Sequence, residues 1–275
     1  MPEGPEIRLA ADRIANALVG RESTRVNFAF ERLRKFEARL TGQRVIDVKT
    51  RGKAMLTCFE NDWVIYSHNQ LYGRWYVSPR GQQPQTARQL RLVIENADYS
   101  AMLYSASEIE VMPLGELDQH PFLRKLGPDV LSDKPDADTI VGRLQSAEFR
   151  NRQLAGLLLD QGFLAGLGNY LRAEILTVAG LHPACKPADC NSRQLMKLAK
   201  TIIGLTRRSY RTGGIINPPA LVKRLRAQGK TDREDYRFNS YNRAGQPCYF
   251  CGCEITCSNA GGRKMYFCPR CQATP

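Results

Sequence analysis

The chain has 275 residues, 43% hydrophobic and 24% charged, which excludes a disordered tail and is long enough for two domains with their own cores. Lys and Arg exceed Asp and Glu by 13, a balance that points to a polyanionic partner, nucleic acid before membrane. No apolar run approaches the ~20 residues of a membrane span, and no apolar leader precedes the first polar helix, so a cytoplasmic protein is expected.

The chain opens Met1-Pro2-Glu3-Gly4-Pro5-Glu6. Removal of Met1, which a small second residue permits, leaves Pro2 as a free secondary amine. An α-amino group titrates near pH ~8, so a useful fraction is uncharged at neutral pH, and its attack on a sugar or carbonyl carbon gives an iminium. Glu3 stands beside it and can carry the protons that such an attack requires. A second reading needs no chemistry. Pro2 then reports only methionine processing, and Glu3 and Glu6 complement a helix N-terminus at about 0.3 to 1 kcal/mol each. On these six residues alone the second reading is favoured. Ile7, Ala10, Ala11, Ile14 and Leu18 follow at helical spacing, and Gly20 is a stop.

From Ser23 to about Met112 the pattern is one of short β runs, among them Arg25 to Phe30, Arg44 to Thr50, Ala54 to Phe59, Trp63 to Ser67, Leu90 to Glu95 and Ala101 to Tyr104. Such strands, punctuated by Gly and Asn-Asp, predict a β-sandwich or barrel. Arg51-Gly52-Lys53 lies in a turn between two of them, where glycine lets the backbone approach a ligand and Lys53 can reach a phosphate; a solvated turn lysine is the plainer alternative. His68-Asn69-Gln70-Leu71-Tyr72-Gly73 is a second turn. Its tip could wedge into a base stack, or Leu71 and Tyr72 could fill the core. The three histidines, His68, His120 and His182, show no metal or triad spacing, and none is read as catalytic. Met112 to Pro135 is rich in Pro, Gly and Asp and marks a domain boundary.

The second half starts helical, with short helices expected over Asp138 to Leu144, Arg150 to Asp160 and Asn169 to Ala179, and a longer one over Ser192 to Thr206. Gln161 to Gly168 holds three glycines in eight residues, a tight double turn rather than continuous helix. Asn169 then falls at an N-cap, where backbone N–H groups and the helix dipole favour a phosphate, although an ordinary capped helix explains a lone Asn as well. Gly213 to Tyr236, with Pro218-Pro219 and the basic cluster Lys223, Arg224 and Arg226, reads as a short helix or a mobile basic loop. From Arg207 onward there are 13 basic and 4 acidic residues, so this part holds +9 of the net +13.

Nine cysteines, four of them in two C-x-x-C pairs, suit a metal site in a reducing compartment better than a disulfide framework. Cys248, Cys251, Cys268 and Cys271 have the two-knuckle spacing of a tetrahedral zinc site, one structural Zn2+ per chain, with Cys253 and Cys257 as decoys nearby. Ala260-Gly261-Gly262 is a hairpin turn between the pairs, which puts Arg263 at the tip of a metal-stapled hairpin or simply on the solvated surface.

Five motifs in order, Met-Pro-Glu-Gly-Pro-Glu at 1–6, Arg-Gly-Lys at 51–53, His-Asn-Gln-Leu-Tyr-Gly at 68–73, Gly-Phe-Leu-Ala-Gly-Leu-Gly-Asn at 162–169 and the four-cysteine hairpin, run nearly the whole chain. Together they resemble the oxidised-pyrimidine branch of the formamidopyrimidine-DNA glycosylase family. The resemblance implies a multi-domain α+β protein: an N-terminal β-sandwich domain over 1–125, a linker over 126–135, a helix-two-turn-helix domain over 136–240 and a zinc finger over 241–275. Double-stranded DNA carrying oxidised bases or abasic sites would bind between the domains, to a monomer.

Carried over residue by residue, the resemblance makes Pro2 the Schiff-base nucleophile at C1′, Glu3 the proton donor in base release and Glu6 a supporting carboxylate. Lys53 becomes the proton donor of β-elimination and Arg263 that of δ-elimination. Asn169 binds phosphate, and Gln70, Leu71 and Tyr72 fill the gap left by the flipped base. Lys125 stands where the family pattern suggests arginine, beside Arg124, and lysine keeps the charge but loses the bidentate fork. Gly213 to Tyr236 is longer than the pattern suggests and has no assigned role. Two alternatives stay open. A non-catalytic zinc-finger nucleic-acid binder explains charge and cysteines but not Pro2-Glu3. A glycosylase for oxidised purines shares the catalytic set, but Gly4, Ile7 and the contiguous Gln70-Leu71-Tyr72 stand against it.

Overall fold

The computed structural model describes residues 2–273; Met1, on whose removal the N-terminal reading depends, lies outside them. Contacts divide the chain into two compact units, Met1–Lys125 and Leu126–Pro275.

The first unit begins with α1 (Gly4–Leu18), with Glu3 as its N-cap and Pro5 in the first turn, where the missing N–H costs nothing. Then come β1 (Arg25–Phe28), the one-turn helices α2 (Glu31–Arg34) and α3 (Glu37–Leu40), β2 (Val45–Arg51), β3 (Ala54–Phe59), β4 (Trp63–His68), β5 (Arg74–Pro79), β6 (Leu90–Glu95), β7 (Tyr99–Tyr104) and β8 (Glu108–Pro113). The strands form two four-stranded sheets, β1-β6-β7-β5 and β2-β3-β4-β8, with every neighbour antiparallel. Phe28, Leu92 and Leu103 of the first sheet share one core with Val48, Met55, Ile65 and Ile109 of the second, and Ile7, Ala11 and Ile14 of α1 close it. Each of the larger of these side chains contributes roughly 1.5–3 kcal/mol on burial, so Ile7 and Ile14 anchor α1 along its apolar face. Its N-terminus is held with it.

The second unit contains α4 (Ala137–Gln145), α5 (Leu154–Leu157), α6 (Asn169–Ala179), α7 (Ser192–Thr212), α8 (Pro219–Ala227), α9 (Arg233–Arg237), β9 (Thr256–Ala260) and β10 (Arg263–Phe267). Its core joins Ile140 and Leu144 of α4, Leu171 and Ile175 of α6 and Leu198 and Ile202 of α7. The stretch 126–135, expected as a linker, is hydrogen-bonded into this unit: the Gly127 N–H donates to Gln161 O at 2.9 Å and the Ala165 N–H to Pro128 O at 3.0 Å.

Several expected elements differ in extent. The helix expected over Arg150 to Asp160 is one turn, because the N–H groups of Leu154 and Ala155 donate to Cys185 O and Pro183 O at 2.8 and 3.0 Å instead of to a preceding helical turn. Gly213 to Tyr236 holds two short helices, α8 and α9, with Leu221, Leu225 and Tyr236 packed together. Helix α7 runs on to Thr212, where Gly213 caps it at φ +65°.

Candidate active site

At the start of the first unit Glu3 is only 2% exposed, and Pro2, half-buried, precedes it directly. Glu3 and Glu6 close a capping box, in which the Glu3 N–H donates to Glu6 Oε2 at 3.0 Å. Glu6 therefore fixes the backbone that carries Pro2 and Glu3. This joins the two readings of the hexapeptide: Glu6 serves the helix end, and Glu3 is enclosed beside the amine.

Lys53 sits in a two-residue loop closing the β2–β3 hairpin between Arg51 and Ala54. Gly52 takes φ +61°, the positive value that the first position of such a tight loop demands. Lys53 is itself 9% exposed, not a solvated turn lysine. Ala54, which follows it, pairs with His68, and His68 with Glu108. Burial pushes the His68 imidazole below its ordinary value; the Glu108 charge opposes that shift and the Lys53 ammonium adds to it.

Glu108 is the centre of a hydrogen-bonded group that spacing in the sequence did not reveal. It accepts from Tyr66 Oη at 2.9 Å and from Gln70 Nε2 at 3.2 Å, and its Oε2 lies 3.6 Å from His68 Nδ1. Gln70 is held at three further points. Its backbone takes φ +52°, its N–H donates to His68 Nδ1 at 3.2 Å, and its Oε1 accepts from Ser107 Oγ at 2.5 Å. Arg88 donates to the Tyr72 carbonyl, and the Gly73 N–H to Asn69 O at 2.7 Å. The loop is fixed at its base while its apolar tip stands in solvent: Leu71 is 54% and Tyr72 67% exposed. The alternative in which these two side chains fill the core does not hold. Lys125 closes a 3-10 turn, Leu123–Lys125, and is exposed, as is Arg124.

In the second unit the double turn is organised by Gln161, whose amide donates to Leu159 O and Leu167 O, both at 3.0 Å, while its oxygen accepts from the Gly166 N–H at 3.1 Å. Gly168 holds the N-cap, one place earlier than expected, and Asn169 is the first helical residue. The Asn169 amide donates to Lys264 O at 3.1 Å and accepts from Arg172 Nη2 at 2.6 Å. Arg172, fully buried, donates also to Ala155 O, Ala260 O and Lys264 O at 2.8–3.0 Å. One guanidinium thus ties α5, α6 and both strands of the β9–β10 hairpin. Gly261 and Gly262, at φ +59° and +72°, form the two-residue turn that matches strand twist, and Ala260 pairs with Arg263, which is exposed.

The buried Glu174 accepts from the N–H groups of Asn239, Ser240 and Tyr241, each at 2.8 Å, fastening α6 to the segment that leads into the cysteines. The Sγ atoms of Cys248, Cys251, Cys268 and Cys271 lie within 4.8 Å of one another, positioned for a metal ion; Cys253 and Cys257 are outside the group. Cys248 and Cys271 are 3.9 Å apart and Cys251 and Cys268 3.4 Å, close to the ~3.8 Å edge of a tetrahedron with Zn–S bonds of ~2.3 Å. The Phe250 and Cys271 N–H groups donate to Cys248 and Cys268 sulfur, both at 3.4 Å, as thiolate ligands require. A sulfur-only set of this size fits zinc.

The formamidopyrimidine-DNA glycosylase N-terminal domain matches residues 1–105, and the H2TH domain of the same enzyme matches residues 126–218. The chain belongs to the formamidopyrimidine-DNA glycosylase family. Endonuclease 8 of Escherichia coli O6:K15:H31 (strain 536 / UPEC) is 47% identical over 272 residues, 99% of this chain and 100% of the relative, and Endonuclease 8 of Shigella sonnei (strain Ss046) matches to the same extent. Among solved structures, Lactococcus lactis Fpg (MutM) in complex with N7-benzyl-Fapy-dG DNA superposes with a TM-score of 0.81 at 22% identity, covering 99% of this chain and all of that one. The same enzyme with abasic-site DNA gives 0.81 at 22%, with the same coverage. Family membership makes the chain a DNA glycosylase and abasic-site lyase of base excision repair. No helix among the described residues is long and apolar enough to cross a membrane.

Proposed function

We propose that this family member removes oxidised pyrimidines from double-stranded DNA through an iminium formed on Pro2 and then cuts the strand on both sides of the lost nucleotide. The observation that carries the reading is the enclosed Glu3 next to Pro2 at the start of an anchored helix. A base inside a duplex hides its sugar, so the nucleotide is first flipped out, at a cost of a few kcal/mol that damage reduces. Leu71 and Tyr72 occupy the vacancy, with Gln70 at their base, and Asn169, Lys125 and the basic surface hold phosphates.

The Pro2 nitrogen attacks C1′ and the glycosidic bond breaks as the base leaves. Glu3 donates the proton that base release requires, and the proton that the Pro2 nitrogen sheds after bonding to C1′ passes to O4′ as the sugar ring opens, giving the iminium. That cation acidifies C2′, and loss of its proton expels the 3′ phosphate, Lys53 handling the proton. Arg263 assists the second elimination, which expels the 5′ phosphate, and hydrolysis frees Pro2. Cys248, Cys251, Cys268 and Cys271 hold one structural zinc, which keeps the Arg263 hairpin folded. The enzyme would act in the cytoplasm as a monomer.

The pyrimidine branch is supported by Gly4, Ile7 and Gln70-Leu71-Tyr72 and by the Endonuclease 8 relatives. A panel of duplexes with one defined lesion each tests it: thymine glycol should be excised at least about tenfold faster than 8-oxoguanine, since a pocket built for one ring hydrogen-bonding pattern rejects another. The reverse order would assign the chain to the purine branch.

Replacing Cys268 by Ser should abolish the one-per-chain zinc found by elemental analysis and weaken DNA binding, while the β-sandwich stays folded on its separate core. The loss is large because structural zinc contributes roughly 10–16 kcal/mol to a segment with little core of its own. An unchanged metal content would contradict the assignment.

Glu108→Ala should release Gln70 and weaken binding to a lesion duplex by about tenfold, the lower end of what a hydrogen bond to a charge contributes, because Glu108 is partly solvated. In a Gln70→Ala background the same change should add little, and additive losses in that double-mutant cycle would show that Glu108 does not act through Gln70.

A further inference from the structure

Helix α7 carries a surface that the catalytic reading leaves unused. Its 21 residues include six cations, Arg193, Lys197, Lys200, Arg207, Arg208 and Arg211, and no acidic residue. At 3.6 residues per turn all six fall within about 60° of the line through Arg193, a stripe ~27 Å long. Arg208 donates to Ile216 O at 3.0 Å; among the described residues no carboxylate pairs with the other five. Like charges at 193/197, 197/200 and 207/211 repel along the helix.

Gly204 lies in the middle of the stripe. It is exposed, and a side chain built there would meet nothing within 4 Å, so no packing inside the protein calls for glycine. A mid-helix glycine lowers helix stability relative to alanine. Its bare backbone opens a notch, over which runs a cavity of about 470 Å³ floored by Val178, Met196 and Leu205 and rimmed by cations of the stripe. Through Arg208 this cavity adjoins a second, of about 720 Å³, lined by Ile215 and Val222 together with Lys223 and Arg226. Two features that cost stability, the run of like charges and the glycine, therefore coincide over a half-buried apolar floor, and no carboxylate among the described residues offsets the charges.

We propose that this groove docks an acidic peptide segment of a protein partner, with an apolar side chain seated over Gly204 and carboxylates on the cation stripe. The cavity volume lies in the ~300–1,000 Å³ range of built ligand sites, and a buried apolar anchor ringed by Arg–carboxylate contacts is how such segments gain affinity. A DNA backbone would use the charge. It has no apolar group for the floor and gains nothing from a missing side chain at 204.

Fluorescence anisotropy with the full chain and two labelled probes, Asp-Asp-Asp-Asp-Phe and Asp-Asp-Asp-Asp-Ser, tests this. The Phe probe should bind at least about tenfold more tightly than the Ser probe, and Gly204→Gln and Lys200→Glu should each weaken it by at least about tenfold. Gly204→Gln should melt at or above the wild-type temperature, because glutamine is a good helix former, and should excise thymine glycol at the wild-type rate. Equal binding of the two probes, no binding of either, or no effect of Gly204→Gln would overturn the proposal. A loss of duplex affinity of about tenfold in Gly204→Gln would instead make the groove a nucleic-acid surface.

Discussion

Glu3→Gln is expected to abolish release of a damaged base while largely sparing cleavage at a preformed abasic site. A positioned general acid contributes about 10² to 10⁴ in rate, and glutamine keeps the size and hydrogen-bonding capacity of the side chain but has no proton to give. At an abasic site there is no base left to expel and the sugar already equilibrates with its open aldehyde, so the amine of Pro2 reaches the iminium without that acid. The fold should be unaffected: the capping bond from the Glu3 N–H to Glu6 belongs to the backbone at position 3 and survives the change. Rates of base release and of strand cleavage, measured on thymine-glycol and abasic duplexes of one sequence, separate the two steps. Base release within about tenfold of wild type would remove Glu3 from the role of proton donor.

How far the sequence revealed this molecule depends on whether the governing contacts are local. The metal cluster was legible because each C-x-x-C pair builds its own knuckle and only one hairpin need join them; Gly261-Gly262 announced that hairpin. The turn that carries Lys53 was legible for the same reason, a two-residue loop with glycine at its first position. Glu108 was not. It meets Gln70 and His68 only because β4 and β8 pair, across 38 residues of chain in the case of Gln70, and β8 was not among the β runs that the sequence singled out.

Helix α6 shows the same limit. Nothing in the sequence singled out Arg172 and Glu174, yet both are fully buried. A charge is tolerated there only when most of its hydrogen bonds are made, and groups that make them come from Ala260, Lys264 and residues 239–241, far along the chain. The helix expected over Arg150 to Asp160 failed in the opposite direction. The spacing of Leu154, Leu157 and Leu158 is helical, but the N–H groups of Leu154 and Ala155 find partners at residues 185 and 183, and tertiary pairing outweighs propensity.

The central claim is the covalent one, and it predicts the largest effect of all: an enzyme whose Pro2 amine is blocked should form no covalent intermediate. A secondary amine with no residue before it can expel a base and become an iminium; the same nitrogen inside a peptide bond is an amide without a nucleophilic lone pair. Protein retaining Met1 supplies the blocked form without disturbing α1, whose apolar face holds the helix in the sandwich core. Borohydride reduces an iminium to a stable amine, so processed protein incubated with abasic or thymine-glycol duplex and borohydride should be locked to the DNA, and undamaged duplex should give no adduct. The decisive measurement is the mass of the N-terminal peptide released from that adduct. The account predicts a peptide that begins at Pro2 and carries the added mass of the sugar; added mass on Lys53 or another lysine, or an equal yield of adduct from protein that retains Met1, would contradict it.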